Sequence, residues 1–120
     1  KAEQLIELSS MLNIAYALER IAGNTRLYLR IAHNFRKHFY MVVEQLPQLI
    51  ESNMDEAIRT VHTIKGLAGQ LGADELYEYS RELETALKED EAHEDILSIF
   101  MEELMEVMDE LARIEGWKIG

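Results

Sequence analysis

Along the last part of the chain, Leu97, Phe100, Leu104, Val107, Leu111 and Ile114 recur at alternating steps of three and four. A seven-residue apolar period of this kind presents one seam of a helix to neighbouring helices. The same signature occurs three more times. Tyr28, Ile31, Phe35, Phe39, Val42, Leu46 and Leu49 share a face; so do Ala57, Val61, Ile64, Ala68 and Leu71; so do Leu76, Tyr79, Leu83 and Leu87. No segment alternates polar and apolar residues at period two, so no strand is expected. Each striped helix must bury its apolar face against another. The expected fold is all-α, an antiparallel four-helix bundle with a short additional N-terminal helix.

Local signals give the boundaries. Residues 1–12 have helical composition interrupted by Ser9 and Ser10, as in the end of a linker or a short docking helix. Asn13 should cap a helix over 14–22 that Gly23 stops. Asn24 should cap a long helix reaching about Ser52, with Pro47 bending its last turns or breaking it. Asn53 and Glu56 form a candidate capping box for a helix over residues 54–71, which Gly72 ends. Asp74 and Glu75 open the next helix, where the helix dipole favours acids. The acidic stretch 89–95 then leads to the last helix. Gly116 stops it, and Trp117 is expected to fold back over Leu111 or Ala112. Met101, Met105 and Met108 share a face and are expected in the core. The bundle spans 13–117, leaving 118–120 as a tail.

Composition excludes several functions. The net charge is −11, from 23 acids against 12 lysines and arginines. Nucleic-acid affinity comes from neutralising phosphates with Lys and Arg, so that partner is disfavoured, as is an anionic membrane surface. There is no cysteine. That excludes disulfides and thiolate metal sites and suits a cytoplasmic location. No apolar run approaches the roughly 18–20 residues of a membrane span, and no signal peptide is visible. The chain begins at Lys1, as a domain cut from a longer protein would. His-Glu-x-x-His and the Glu-x-x-His repeats of di-iron bundles are absent, and no metal or cofactor is expected on the chain itself.

The chemistry concentrates in residues 61–72, Val-His-Thr-Ile-Lys-Gly-Leu-Ala-Gly-Gln-Leu-Gly. At about 100° per residue, His62 falls off the apolar stripe and should face solvent. Lys65, Gly66 and Gly69 follow at three, four and seven residues, along the same strip. Two glycines inside a helix cost roughly 1 kcal/mol each relative to alanine, so bare backbone beside an imidazole and an ammonium needs a reason. Phosphoryl transfer through histidine supplies one. An imidazole nitrogen is a competent nucleophile near neutral pH, a lysine one turn on can reach the phosphoryl oxygens, and glycines let a partner's loops approach. Arg59, His62 and Lys65 also form a basic spot suited to a partner whose active site is a cluster of carboxylates. His33, His38 and His93 are expected to be ordinary surface residues. No Walker-type loop or Gly-x-Gly-x-x-Gly turn is present, so the phosphoryl group must come from another domain.

His62-Thr-Ile-Lys65-Gly66, followed by Gly69 and Leu71-Gly72-Ala73, resembles the signature of histidine-containing phosphotransfer (HPt) domains of hybrid sensor histidine kinases. Residues 13–24, Asn-Ile-Ala-Tyr-Ala-Leu-Glu-Arg-Ile-Ala-Gly-Asn, resemble the opening of such domains, and Leu83-Glu84 resembles a pair in their following helix. The resemblance covers about 13 to 115. It implies an intermediate of a multistep His–Asp phosphorelay, with His62 as phosphoacceptor, Lys65 offsetting phosphoryl charge, and Arg59, Gly66 and Gly69 in partner docking. The implied partners are response-regulator receiver domains, which bring their own Mg²⁺, and a histidine kinase upstream. The domain itself would be a monomer without kinase activity. Two alternatives stay open: the phosphoacceptor module of a chemotaxis-type kinase, and a bundle that binds receivers without accepting phosphate.

Overall fold

Three asparagines set the starts of helices. In this computed structural model, which describes residues 1–117, the side chains of Asn13, Asn24 and Asn53 accept the backbone N–H of Tyr16, Leu27 and Glu56. They open α2 (Ile14–Glu19), α3 (Thr25–Phe39) and α5 (Met54–Leu71). Caps of this type are worth about 1 kcal/mol each. The reciprocal half of the Asn53–Glu56 box does not form, because the Glu56 carboxylate turns to Arg59 at 2.5 Å. The remaining helices are α1 (Ala2–Glu7), α4 (Val42–Ser52), α6 (Asp74–Lys88) and α7 (Glu94–Glu115). No strand occurs among the described residues. The expected tail at 118–120 lies outside them.

The apolar stripes of the helices face one another. α3 packs on α5 and α7, and α6 packs on the same two helices, closing a ring of four. Tyr28, Phe35, Ile64, Leu71, Leu83, Phe100 and Leu104 are almost completely buried between them. Burying a side chain of this size contributes roughly 1.5–3 kcal/mol. The Tyr28 hydroxyl donates to the Leu71 carbonyl at 2.6 Å, satisfying a group that the end of α5 leaves open. Gly72 then stops α5 in a left-handed conformation at φ +77. A Cβ at Gly72 would run into the Asn13 backbone, and the Asn13 N–H donates to the Gly72 carbonyl at 2.8 Å.

Several expected boundaries move. α2 ends at Glu19 rather than at 22, because Ala22 (φ 56) and Gly23 (φ 74) are both left-handed and the Gly23 N–H returns to the Leu18 carbonyl. The long helix expected from Asn24 to Ser52 is two helices. It is interrupted at Tyr40–Met41, and Pro47 lies inside α4. The break lies six residues before Pro47, whose missing N–H would have met the Val43 carbonyl inside α4, so the proline does not place the interruption. The acidic connection is shorter than 89–95, since Glu94 and Asp95 already form the first turn of α7. Only Met101 and Met108 pack against the core; Met105 points outward, 53% exposed. Trp117 is partly exposed and outside the core cluster.

The first segment is helical and packed. Leu5 is fully buried and α1 lies against α2. Ser9 accepts the Leu12 N–H at 3.0 Å and donates to Glu110 at 2.5 Å, while Arg113 reaches the Leu8 carbonyl. These bonds fasten the segment to α7.

Candidate functional site

α5 and α6 double back at Gly72–Ala73, with His62 ten residues before Gly72 and Glu84 twelve after it. Similar distances from the reversal bring the two side chains level. The imidazole is 64% exposed, and its Nδ1 lies 2.9 Å from Glu84 Oε2. The Glu84 side chain is almost entirely buried, yet it carries a charge. Lys65 Nζ sits 2.8 Å from Oε1 and Lys88 Nζ 3.0 Å from Oε2.

Burial alone pushes the Glu84 carboxyl up. Hydrogen bonds from Lys65, Lys88 and His62 outweigh it and hold the group at about 2, so at neutral pH it is ionised. An ionised carboxylate only accepts hydrogen bonds, so the proton of a neutral His62 ring belongs on Nδ1. That leaves Nε2 with the lone pair, on an exposed ring. A buried anion thus fixes both the orientation and the tautomer of a solvent-facing imidazole.

The other expected site residues fall in different surroundings. Lys65 is not on an open strip: it is half-buried, and its charge is already matched by Glu84. Arg59 is exposed and paired with Glu56 at 2.5 Å. The basic spot expected from Arg59, His62 and Lys65 is therefore largely neutralised in place. Gly66 does face open space, with nothing within 4 Å of where a Cβ would stand. At Gly69 a Cβ would touch the Tyr77 ring at 3.5 Å, so that glycine borders the α5–α6 packing instead of bare solvent. His33 and His38 are exposed and His93 is partly so.

Beside His62, on the α3 side, an apolar cleft of about 450 Å³ is lined by Ile31, Phe35, Phe39, Thr63 and Leu67. It adjoins a hollow bordered by Phe39, Arg59 and Thr63. No group of three or more His, Cys, Asp or Glu side chains that could hold a metal occurs among the described residues. No helix among them is long and apolar enough to cross a membrane.

Lys88 was not singled out from the sequence, and Glu84 only as half of a Leu-Glu pair. The signal for both was their distance from Gly72, which matters only once the two helices are known to pack.

A family model of the Hpt domain matches residues 30–114, from the second turn of α3 to the last turn of α7. The chain is an Hpt domain. Neither the curated proteins nor the solved structures compared with it gave a match. Hpt domains are phosphotransfer modules of phosphorelays that lack kinase activity and interact with receiver domains and kinases. His62, Lys65, Glu84 and Lys88 all lie within the matched stretch of this Hpt domain.

Proposed function

We propose that this Hpt domain accepts a phosphoryl group on His62 Nε2 from a receiver-domain aspartate and passes it to a second receiver. The observation that carries the reading is the bond from His62 Nδ1 to the buried, ionised Glu84. In the forward step Nε2 forms a bond to phosphorus as the acyl phosphate P–O bond breaks, and the aspartate leaves as a carboxylate. The Nδ1 proton stays on the ring, where Glu84 balances the positive charge the imidazole gains. Discharge to the second receiver reverses these events. Lys65 and Lys88, both held on Glu84, supply positive charge toward the incoming phosphoryl oxygens in this reading. Mg²⁺ on the receiver supplies the rest of the charge stabilisation.

In this reading the receiver docks over the open backbone at Gly66, with Gly69 at the edge of the contact, and the cleft at Phe39, Thr63 and Leu67, with Arg59 at its rim. The ring of α3, α5, α6 and α7 is taken as an antiparallel four-helix bundle. The domain is taken to work as a monomer in the cytoplasm, as part of a hybrid sensor kinase with a histidine kinase upstream. The Leu71-Gly72-Ala73 segment and the lack of cysteine support that setting.

The test is to incubate the domain with a phosphorylated receiver and map acid-labile phosphate. Label on His62 that a fresh receiver removes is the expected result. Label on His33, His38 or His93, or none while the receiver still binds, overturns the assignment. Label obtained only from ATP and a separate kinase domain would assign the chain to a chemotaxis-type kinase.

A further inference from the structure

From Arg20 to Val43 the chain has no Asp or Glu, in a protein with 23 acids among 120 residues. α3 lies entirely within that window. Its Arg26, Arg30, His33 and Lys37 follow one another at steps of four, three and four, all exposed. Residues so spaced form one stripe on a helix. Arg26, Arg30 and Lys37 make no ion pair among the described residues, whereas Arg59, Arg81, Arg113, Lys65 and Lys88 each have a carboxylate. Beside the His33–Lys37 end of the stripe, a groove of about 420 Å³ runs between α3 and α7, with Tyr40, Met108 and Ala112 as its apolar lining and Asp109 on the far rim, and Arg26 and Arg30 continue the stripe beyond it. Arg36 turns inward to Glu115 and fastens α3 to α7 below it.

We infer that the α3–α7 groove is a second docking surface, which takes an acidic amphipathic helix of a partner protein. The stripe from Arg26 to Lys37 spans about 16 Å, or three helical turns. A partner helix with carboxylates at the same spacing places them against the cations while its apolar residues settle on Tyr40, Met108 and Ala112. The opposite rim is acidic, with Asp109 in the groove and Glu102 and Glu106 exposed farther along α7. An extended anionic surface, such as a bilayer or a nucleic-acid duplex, would meet that whole acidic row; a single helix in the groove with its carboxylates turned toward α3 has only Asp109 beside it. The overall charge of −11 does not prevent this contact, because exposed charges farther apart than roughly 8 Å are screened at physiological salt. In the ring of helices, the α3–α7 edge lies across from the α5–α6 edge that carries His62. A partner held here leaves His62 open to a receiver, and the surface tethers the domain without blocking its chemistry.

The probe is a labelled synthetic helix of about five turns with a leucine stripe flanked by glutamates; a lysine-flanked counterpart is the control. Fluorescence anisotropy at low and physiological salt should show binding of the glutamate peptide only. The pair Arg30→Glu/Lys37→Glu should weaken it by about tenfold or more. The neutral pair Arg30→Gln/Lys37→Gln should weaken it less, with unchanged melting, which guards against a folding artefact. Saturating peptide should leave labelling of His62 unchanged. Equal binding of both peptides, unaltered affinity in the charge-reversed pair, or loss of His62 labelling on peptide binding overturns the inference. So does self-association, or binding to phosphatidylserine vesicles or duplex DNA, that the charge-reversed pair abolishes, since the stripe then belongs to that occupant.

Discussion

At the α5–α6 edge, Lys65 and Lys88 share one buried carboxylate; along α3, Arg26, Arg30 and Lys37 have none. The two arrangements suit different tasks. Cations held by Glu84 are fixed in place, so in the proposed transfer little ordering remains for the reacting step. Cations on α3 keep their side-chain freedom and full attraction for whatever approaches. Glu103 extends the contrast to carboxylates. It too is buried, but its charged neighbours are Glu75 and Glu106 instead of lysines. One buried acid is thus stabilised as an anion and the other is not.

The largest expected effect isolates the chemistry of the first region. His62→Gln should abolish phosphate acceptance while moving stability by no more than about 0.5 kcal/mol, because the ring is mostly exposed. Acid-labile labelling and a urea melt check both halves. A cooperative loss of fold would make the imidazole a structural group, and the contrast with α3 would fail.

Glu84→Gln comes next. Glu84 lies below its ordinary 4.5, so its stabilisation is complete above about 4.5 and disappears as pH falls toward about 2. The substitution should cost roughly 3 kcal/mol at pH 7, and the gap from the parent should close across that acid window. Urea unfolding at several pH values measures it. Arg30→Gln, run alongside, should show no such gap at any pH.

Glu103→Gln should act in the opposite direction. Burial first, then Glu75 and Glu106, push this carboxyl up to about 7. Ionisation is therefore resisted in the fold, and stability falls as pH rises from about 4.5 through 7. The glutamine variant should remove that decline and be more stable than the parent above pH 7, by on the order of 1–2 kcal/mol. Equal melting at pH 8 would mean that Glu103 ionises without penalty.

The smallest effect on folding, at Gly66, sharpens what the open strip is for. With open space around its missing Cβ, Gly66→Gln should melt at or slightly above the parent temperature, by a few tenths of a kcal/mol. It should still slow transfer from a phosphorylated receiver several-fold, and transfer from a small-molecule phosphodonor less. A lower melting temperature with transfer lost only in proportion would mean that the glycine serves packing.

What the sequence made legible was local. Asn13, Asn24, Asn53 and Gly72 mark helix ends through bonds to their own neighbours, and each stripe announces the face it buries. The exposure of His62 followed from the same period. The break at Tyr40–Met41 lies a turn and a half or more before Pro47, where neither Tyr40 nor Met41 reads as a stop, and α2 ends short of Ala22, which reads as a helix former until its left-handed φ is seen. Neutralisation of Lys65 and the partnership of Lys88 depend on a carboxylate arriving from the next helix, which no periodicity within α5 can report.

The contact between Gly72 and Asn13 bears on how this domain breathes. The Asn13 N–H bonds to the Gly72 carbonyl, one residue from the Ala73 N–H that closes the end of α5 on Ala68. α2, at six residues, is far too short to persist by itself. Its start is therefore tied to the last turn of α5 through this bond. In native-state hydrogen exchange, the Asn13 and Ala73 amides should share one opening free energy although sixty positions of chain separate them. The small helix becomes a built-in reporter: its protection reads out how firmly the end of the histidine-bearing helix is shut.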